Sequence, residues 1–225
     1  MQQYPILYSL QHCPYAMRAR MGILLSEQRV RLRPIVLKDK PNQMLKASPK
    51  GTVPVLVIES ESGTNSIVID ESLDVMLWAL KQSDPSNLLY SEQPEMLSKM
   101  LDLISIYDVE FKSHLENYKS AKRYHDDNKV EYREICEKYI SDLEERLNQH
   151  QYLMGESLSL VDFAILPFIR RFAKIERQWY LSSQYPKLQC WLKSHLDSLL
   201  FSKVMRKYPL WLESHEEILI GSTNQ

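Results

Sequence analysis

Short apolar runs and amphipathic stretches alternate through the first eighty residues. Ile6 to Ser9, after Pro5, is an apolar run of strand length. Pro14 to Glu27 carries Met17, Met21 and Leu24 at helical spacing. Val30, Leu32, Pro34 and Val36 alternate with Arg31, Arg33 and Ile35; this is a period-two signal, and its proline suggests an edge strand. The pattern then predicts a short helix over Pro41 to Ala47 and a β-branched strand over Val53 to Ile58. A polar turn over Glu59 to Asn65, a strand over Ile67 to Ile69 and a helix over Glu71 to Gln82 follow. The order is β-α-β-α-β-β-α. Ser83 to Pro94, with its prolines and serines, reads as a linker. Beyond it the alternation disappears, and helices are predicted over Pro94 to Tyr118, Asn128 to Gln149, Ser159 to Arg177, Pro186 to His195 and Leu199 to Tyr208. Tyr124 to Asn128 is a polar break between the first two. The expectation is an α/β domain over 1–82 and an all-α domain over 94–225.

Composition narrows the function. Of 225 residues, 44% are apolar and 25% charged, with a net charge of −1, so no bulk electrostatic case exists for nucleic acid or a membrane surface. Glycine is scarce at 5 residues, and neither glycine-rich phosphate-binding string occurs. No apolar stretch approaches the roughly 18 residues of a membrane span, and Met1 to Leu10 lacks the features of a signal peptide. Cys13, Cys136 and Cys190 are an odd set that cannot all pair, which points to free thiols in a reducing cytoplasm.

Of these thiols, Cys13 has the setting for chemistry. It stands between a strand and a helix, with Pro14 at the first helical position. Helix N–H groups and the positive end of the macrodipole favour a thiolate there, and Arg18 and Arg20 either strengthen that field or simply face solvent. The alternative is a small buried hydrophobe, which is also the reading for Cys136 and Cys190. Val53-Pro54 at a strand start is either a cis turn that presents the Val53 backbone to a peptide-like ligand or an ordinary trans proline. Asp70-Glu71-Ser72 opens a helix; it is either plain capping chemistry or a helix N-terminus that receives a ligand carboxylate, with Glu71 taking an ammonium.

Taken in this order, Cys13-Pro14-Tyr15-Ala16, Val53-Pro54 and Glu71-Ser72 resemble the cytosolic glutathione transferases across essentially the whole chain. Within them the chain is similar to the omega-like branch, which carries cysteine where other classes carry tyrosine or serine. The resemblance implies a thioredoxin-like N-terminal domain that binds glutathione, an all-α C-terminal domain, a cleft site between them and a cytoplasmic homodimer without a metal. By the same resemblance Cys13 is catalytic, and Lys40, Val53, Pro54, Glu71 and Ser72 meet glutathione. Ser159 to Asp162 matches the family's buried capping box, a folding device. One departure matters: position 16 is alanine, so a Cys-x-x-Cys disulfide cycle is impossible and the chemistry left is monothiol.

Family architecture would also place a second-substrate wall on the first long helix after the linker. Tyr107, Phe111 and Tyr118 lie there with Lys112 and Lys119, and these are either a pocket wall or core aromatics with solvated lysines. Trp179, Tyr180, Trp191 and Trp211 read as packing residues. The favoured activity is glutathione-dependent thiol transfer or reduction. Its rivals are conjugation of electrophiles and a non-enzymatic interaction role on the same fold, like the stringent starvation proteins that bind RNA polymerase.

Overall fold

The computed structural model of the chain describes residues 4–59 and 66–221. All but Glu59 of the polar turn expected at Glu59 to Asn65 lies outside the described residues. Two compact units form. One comprises Met1–Ser86 together with Ser198–Gln225, the other Asn87–Asp197. The helical unit therefore ends earlier than the sequence pattern suggests, and the last residues belong to the α/β unit.

In the α/β unit, β1 (Ile6–Ser9), α1 (Pro14–Leu25), β2 (Val30–Pro34), α2 (Asn42–Ala47), β3 (Val55–Glu59), β4 (Ser66–Ile69) and α3 (Ser72–Gln82) follow the predicted order. β1 pairs parallel with β2 and antiparallel with β3, and β4 pairs antiparallel with β3. Successive side chains point to opposite faces. Leu7, Leu32 and Leu56 pack with Ala19 and Ile23 of α1 and Val75 and Ala79 of α3. Ile6, Tyr8, Val55 and Val57 pack on the other face, with Ala16 and with Met44 of α2. Gly22 lets α1 and α3 meet closely, because a Cβ there would lie 2.6 Å from the Met76 Cα.

β2 is not an edge strand. A fifth strand, β5 (Ile218–Ile220), pairs antiparallel with it, in the register Val30↔Ile220 to Leu32↔Ile218. That pairing stops short of Pro34, so the missing proline N–H costs no ladder bond on this side. Gly221 pins the strand end: its φ is +90°, and a Cβ would fall 1.7 Å from the Gln28 carbonyl oxygen.

The helical unit begins with α4 (Pro94–Ile106), which passes through a π-helical turn (Tyr107–Phe111) into α5 (Lys112–Tyr124). His125, in the left-handed region at φ 57°, ends it. α6 (Lys129–Gln149) follows. The single helix predicted over Ser159 to Arg177 is split into α7 (Leu160–Ala164) and α8 (Leu166–Ile175). Pro167, lacking an N–H, cannot continue the ladder. α9 (Arg177–Ser182) and α10 (Pro186–Leu196) complete the unit. The short helices α11 (Leu199–Val204) and α12 (Trp211–Ser214) belong to the α/β unit. No helix among the described residues is long and apolar enough to cross a membrane.

Glu176, between α8 and α9, fastens the helical unit. Its carboxylate accepts hydrogen bonds from Tyr118 at 2.9 Å, Lys129 at 2.8 Å, Arg133 at 3.3 Å and Lys122 at 3.4 Å. Burial pushes the carboxyl up, but the bonds from Lys129, Tyr118 and Lys122 overcome it and hold Glu176 at about 2. Because the folded value lies below the ordinary 4.5, the resulting stability is complete above that pH and is lost as pH falls through about 2. Glu176→Gln is expected to cost about 2 kcal/mol at neutral pH. Urea unfolding should show the gap between variant and wild type closing as the pH is lowered; a gap independent of pH would contradict the assignment.

Candidate active site

Cys13 occupies the position just before α1, with extended φ −74° and ψ 126°. Its N–H donates to the Leu10 carbonyl at 3.3 Å, and its own carbonyl accepts from the Met17 N–H at 2.9 Å. No side chain caps α1, and its first turn holds no acidic residue. The helix start therefore sets no side-chain acceptor and no negative charge in competition with an anion. Cys13 packs against the Tyr8, Ala16 and Val53 cluster yet stays half-buried.

Arg20 sets the loop ahead of the thiol. Its buried guanidinium donates to the Ser9 hydroxyl, to the Leu10 carbonyl at 3.1 Å, to the Gln11 carbonyl at 2.7 Å and to the Val204 carbonyl at 3.0 Å. Gln11 Nε2 adds a bond to the Met205 carbonyl at 2.9 Å. Burial pushes Arg20 down to about 10, while Cys13 and Tyr208 act to raise it. It therefore keeps its charge at neutral pH and lies within electrostatic reach of Cys13.

The Val53–Pro54 peptide is cis. Among the described residues, neither the Val53 N–H nor its carbonyl has a backbone partner. The preceding turn contains Gly51 at φ +62°, and a Cβ built there would lie 3.2 Å from Lys40 Nζ. Lys40 thus reaches the turn that leads into Val53. Glu71 is the residue just before α3, and no side chain caps that helix either. The Glu71 carboxylate is exposed, while Ser72 is buried. Plain capping is therefore not what Glu71 does. Its side chain turns to Lys50, whose Nζ lies 2.8 Å from Glu71 and 2.9 Å from Asp70. The hydrogen bonds that Lys50 donates to Glu71 and Asp70 raise it to about 12. The Ser48 hydroxyl, at 2.6 Å, and Lys50 hold Asp70 below its ordinary value.

Comparison with known proteins gives the family. The family described as "Glutathione S-transferase, N-terminal domain" matches residues 7–87, and "Glutathione S-transferase, C-terminal domain" matches residues 114–194. The chain belongs to the glutathione S-transferase family. It is an omega-like member: "Glutathione S-transferase omega-1" of Mus musculus is 28% identical over 200 residues, covering 83% of this chain and 74% of that one. Glutathione transferase Omega 2C of Trametes versicolor shares the fold at TM-score 0.73 and 16% identity, over 92% of this chain and 94% of its own. A glutathione transferase of Pseudomonas putida, crystallised with one glutathione disulfide bound per subunit, shares it at TM-score 0.78 and 15% identity, over 92% of each chain.

The aromatic positions raised as a second-substrate wall have another role in this glutathione S-transferase. Tyr107, Phe111 and Tyr118 are fully buried in the core of the helical unit. The Tyr107 hydroxyl donates to the Tyr139 carbonyl at 2.8 Å, Tyr118 binds Glu176, and Phe111 lies 5.7 Å from the Tyr139 ring and 6.2 Å from Phe172. Lys119 is paired with Glu116 at 3.4 Å. Trp191 is a packing residue, as expected, and Trp211 stacks under the Arg33 guanidinium at 4.1 Å.

Lys50, Ser48 and the bonding role of Arg20 escaped the sequence reading. The available signal for Lys50 was local. Ser48-Pro49-Lys50-Gly51 is a turn two residues ahead of Val53-Pro54, and its lysine meets two acids that open α3.

Proposed function

We propose that this glutathione S-transferase is a glutathione-dependent thiol transferase that works through Cys13 alone. The observation that carries the reading is a half-buried thiol at the uncapped start of α1, beside the buried charge of Arg20 and with alanine at position 16. The Cys13 thiolate attacks the glutathione-side sulfur of a mixed disulfide. The S–S bond breaks, the partner leaves as a thiolate that takes a proton, and Cys13 is left as a mixed disulfide with glutathione. A second glutathione, as thiolate, attacks that bond, releases glutathione disulfide and restores Cys13. Per turnover one mixed disulfide is reduced and two glutathione units leave joined. The glutathione disulfide bound to the Pseudomonas putida relative supports a fold that accommodates this product.

In this reading the Val53 backbone holds glutathione as a strand partner beside Pro54, Ser72 and the open start of α3 receive the γ-glutamyl carboxylate, and Glu71 takes its ammonium. Lys40 meets the glycine carboxylate. Lys50 already rests on Glu71, so a ligand ammonium shares or displaces it. Losing a charge-assisted hydrogen bond costs about 1.5–3 kcal/mol. Glu71→Ala is accordingly expected to weaken glutathione binding about ten-fold or more, read by titration calorimetry; unchanged affinity would remove Glu71 from the site. The activity itself is tested by running reduction of a glutathione mixed disulfide beside conjugation of a chloro-aromatic compound. Conjugation without disulfide reduction would replace thiol transfer with the rival reading.

A further inference from the structure

The start of α3 is a poor place for a ligand carboxylate unless a cation stands beside it. Asp70 and Glu71 precede the helix, and Asp74 lies in its first turn. Their negative charges oppose the attraction of a helix N-terminus for an anion. Among the described residues, the cation paired with Asp70 and Glu71 is Lys50.

Lys50 stands on a pinned turn. The Gly51 N–H donates to the Ser48 carbonyl at 3.1 Å, and the hydroxyl of buried Ser48 donates to Asp70 Oδ2 at 2.6 Å. Asp70 thus braces the turn through one oxygen and takes Lys50 Nζ, at 2.9 Å, on the other. Glu71 receives Lys50 on Oε1 alone, at 2.8 Å, and its Oε2 accepts no hydrogen bond among the described residues. An ammonium has three N–H donors, so Lys50 keeps one beyond those on Asp70 and Glu71. Ser72 is 4% exposed, yet its hydroxyl makes no hydrogen bond among the described residues and is not sealed from solvent. A buried polar group is normally paired, so this hydroxyl is suited to a partner that enters from outside.

We propose that Lys50 reads the α-carboxylate of the γ-glutamyl group, staying on Glu71 Oε1 while the ligand ammonium takes Glu71 Oε2. The two charged groups of an α-amino acid sit on one carbon. A ligand whose ammonium rests on Glu71 therefore brings its carboxylate beside Lys50 and Ser72. Charges then alternate around a closed ring of Glu71, ligand ammonium, ligand carboxylate and Lys50. Such a ring needs both ligand charges, and it selects an α-amino acid head group over a plain acid or a plain amine. This role of Lys50 rests on the assignment of the γ-glutamyl group to Glu71 and Ser72. It makes Lys50 a determinant of specificity and not a counterion that the ligand expels.

The test is calorimetric titration of the full chain with three peptides. They are glutathione, glutaryl-Cys-Gly, which lacks the ammonium, and 4-aminobutanoyl-Cys-Gly, which lacks the α-carboxylate. Wild type is expected to prefer glutathione to both. Lys50 is half-exposed, so its charge is partly screened. Lys50→Gln should cut the preference for glutathione over the decarboxylated peptide about five-fold. The preference over the deaminated peptide should not fall. Each preference is a ratio within one variant, so a general disturbance of the corner cancels. An unchanged preference over the decarboxylated peptide would overturn the role of Lys50. Tighter glutathione binding by Lys50→Gln than by wild type would also overturn it, because Lys50 would then be an occupant that the ligand displaces. Glu71→Ala separates the two levels of failure. If it leaves glutathione affinity unchanged, the γ-glutamyl assignment falls and the role of Lys50 with it. If it weakens binding while Lys50→Gln leaves both preferences intact, the role of Lys50 alone is lost.

Discussion

Asp162→Ala is expected to leave the chain largely unfolded or insoluble at 37 °C. The carboxylate is fully buried and accepts four hydrogen bonds. The Ser159 N–H and hydroxyl reach it at 3.0 and 2.8 Å, the Leu153 N–H at 3.1 Å and the Trp191 indole N–H at 3.0 Å. The capping box expected from Ser159 to Asp162 is present and caps α7. Around it, the same side chain ties the loop after α6 and the Trp191 ring of α10 to one point. Alanine would remove an acceptor from four buried donors at once. Each such loss costs on the order of 1–3 kcal/mol, and a domain's whole stability is about 5–15 kcal/mol. Asp162→Asn keeps the shape but turns one oxygen into a donor facing the Ser159 group, so it should fall between alanine and wild type. Urea unfolding followed by tryptophan fluorescence orders the three. An alanine variant within about 1 kcal/mol of wild type would show that Asp162 does not hold the unit together, since surface changes stay within about 0.5 kcal/mol.

The capping box was legible because all its information lies within four consecutive residues. The same holds for β1 to α3, where every element is long enough to display its period and is bounded by proline or polar breaks. Legibility failed where the partner is remote. β5 is three residues long, too short to carry an alternation, and its partner β2 lies 186 to 190 positions away (Ile218 on Leu32, Ile220 on Val30). Nothing around Glu176 announces its four donors, which stand 43 to 58 residues earlier in the chain. Tyr107, Phe111 and Tyr118 were ambiguous for a different reason. An aromatic face at helical spacing is the same pattern whether it lines a pocket or a core, and it is the packing of α6 and α8 that decides. At the candidate active site the sequence carried the residue types and their order, while the Lys50 contact and the Arg20 anchoring depend on how loops close in space.

The largest functional effect is expected from Cys13→Ser, which should bring thiol transfer down to the rate without enzyme while leaving glutathione binding intact. A serine hydroxyl is not ionised near neutral pH and cannot form the mixed disulfide, so neither half of the exchange can run. The proposed glutathione contacts, Glu71, Ser72, Val53 and Lys40, do not involve the sulfur of residue 13. The substitution is small and the position is half-buried, so the fold should tolerate it. Conjugation could gain, because the hydroxyl would hydrogen-bond the thiolate of glutathione where a cysteine would bond to its sulfur. Alkylation supplies an independent check on the native thiol. Burial, with Glu137, pushes Cys136 up to about 12, so it stays protonated and unreactive. In a Cys190→Ser background, iodoacetamide at neutral pH should therefore label one residue, Cys13, and glutathione should protect it. Thiol transfer that survives Cys13→Ser, or labelling of Cys13 no faster than free glutathione is labelled, would rule out the monothiol mechanism and leave the binding site without a nucleophile of its own.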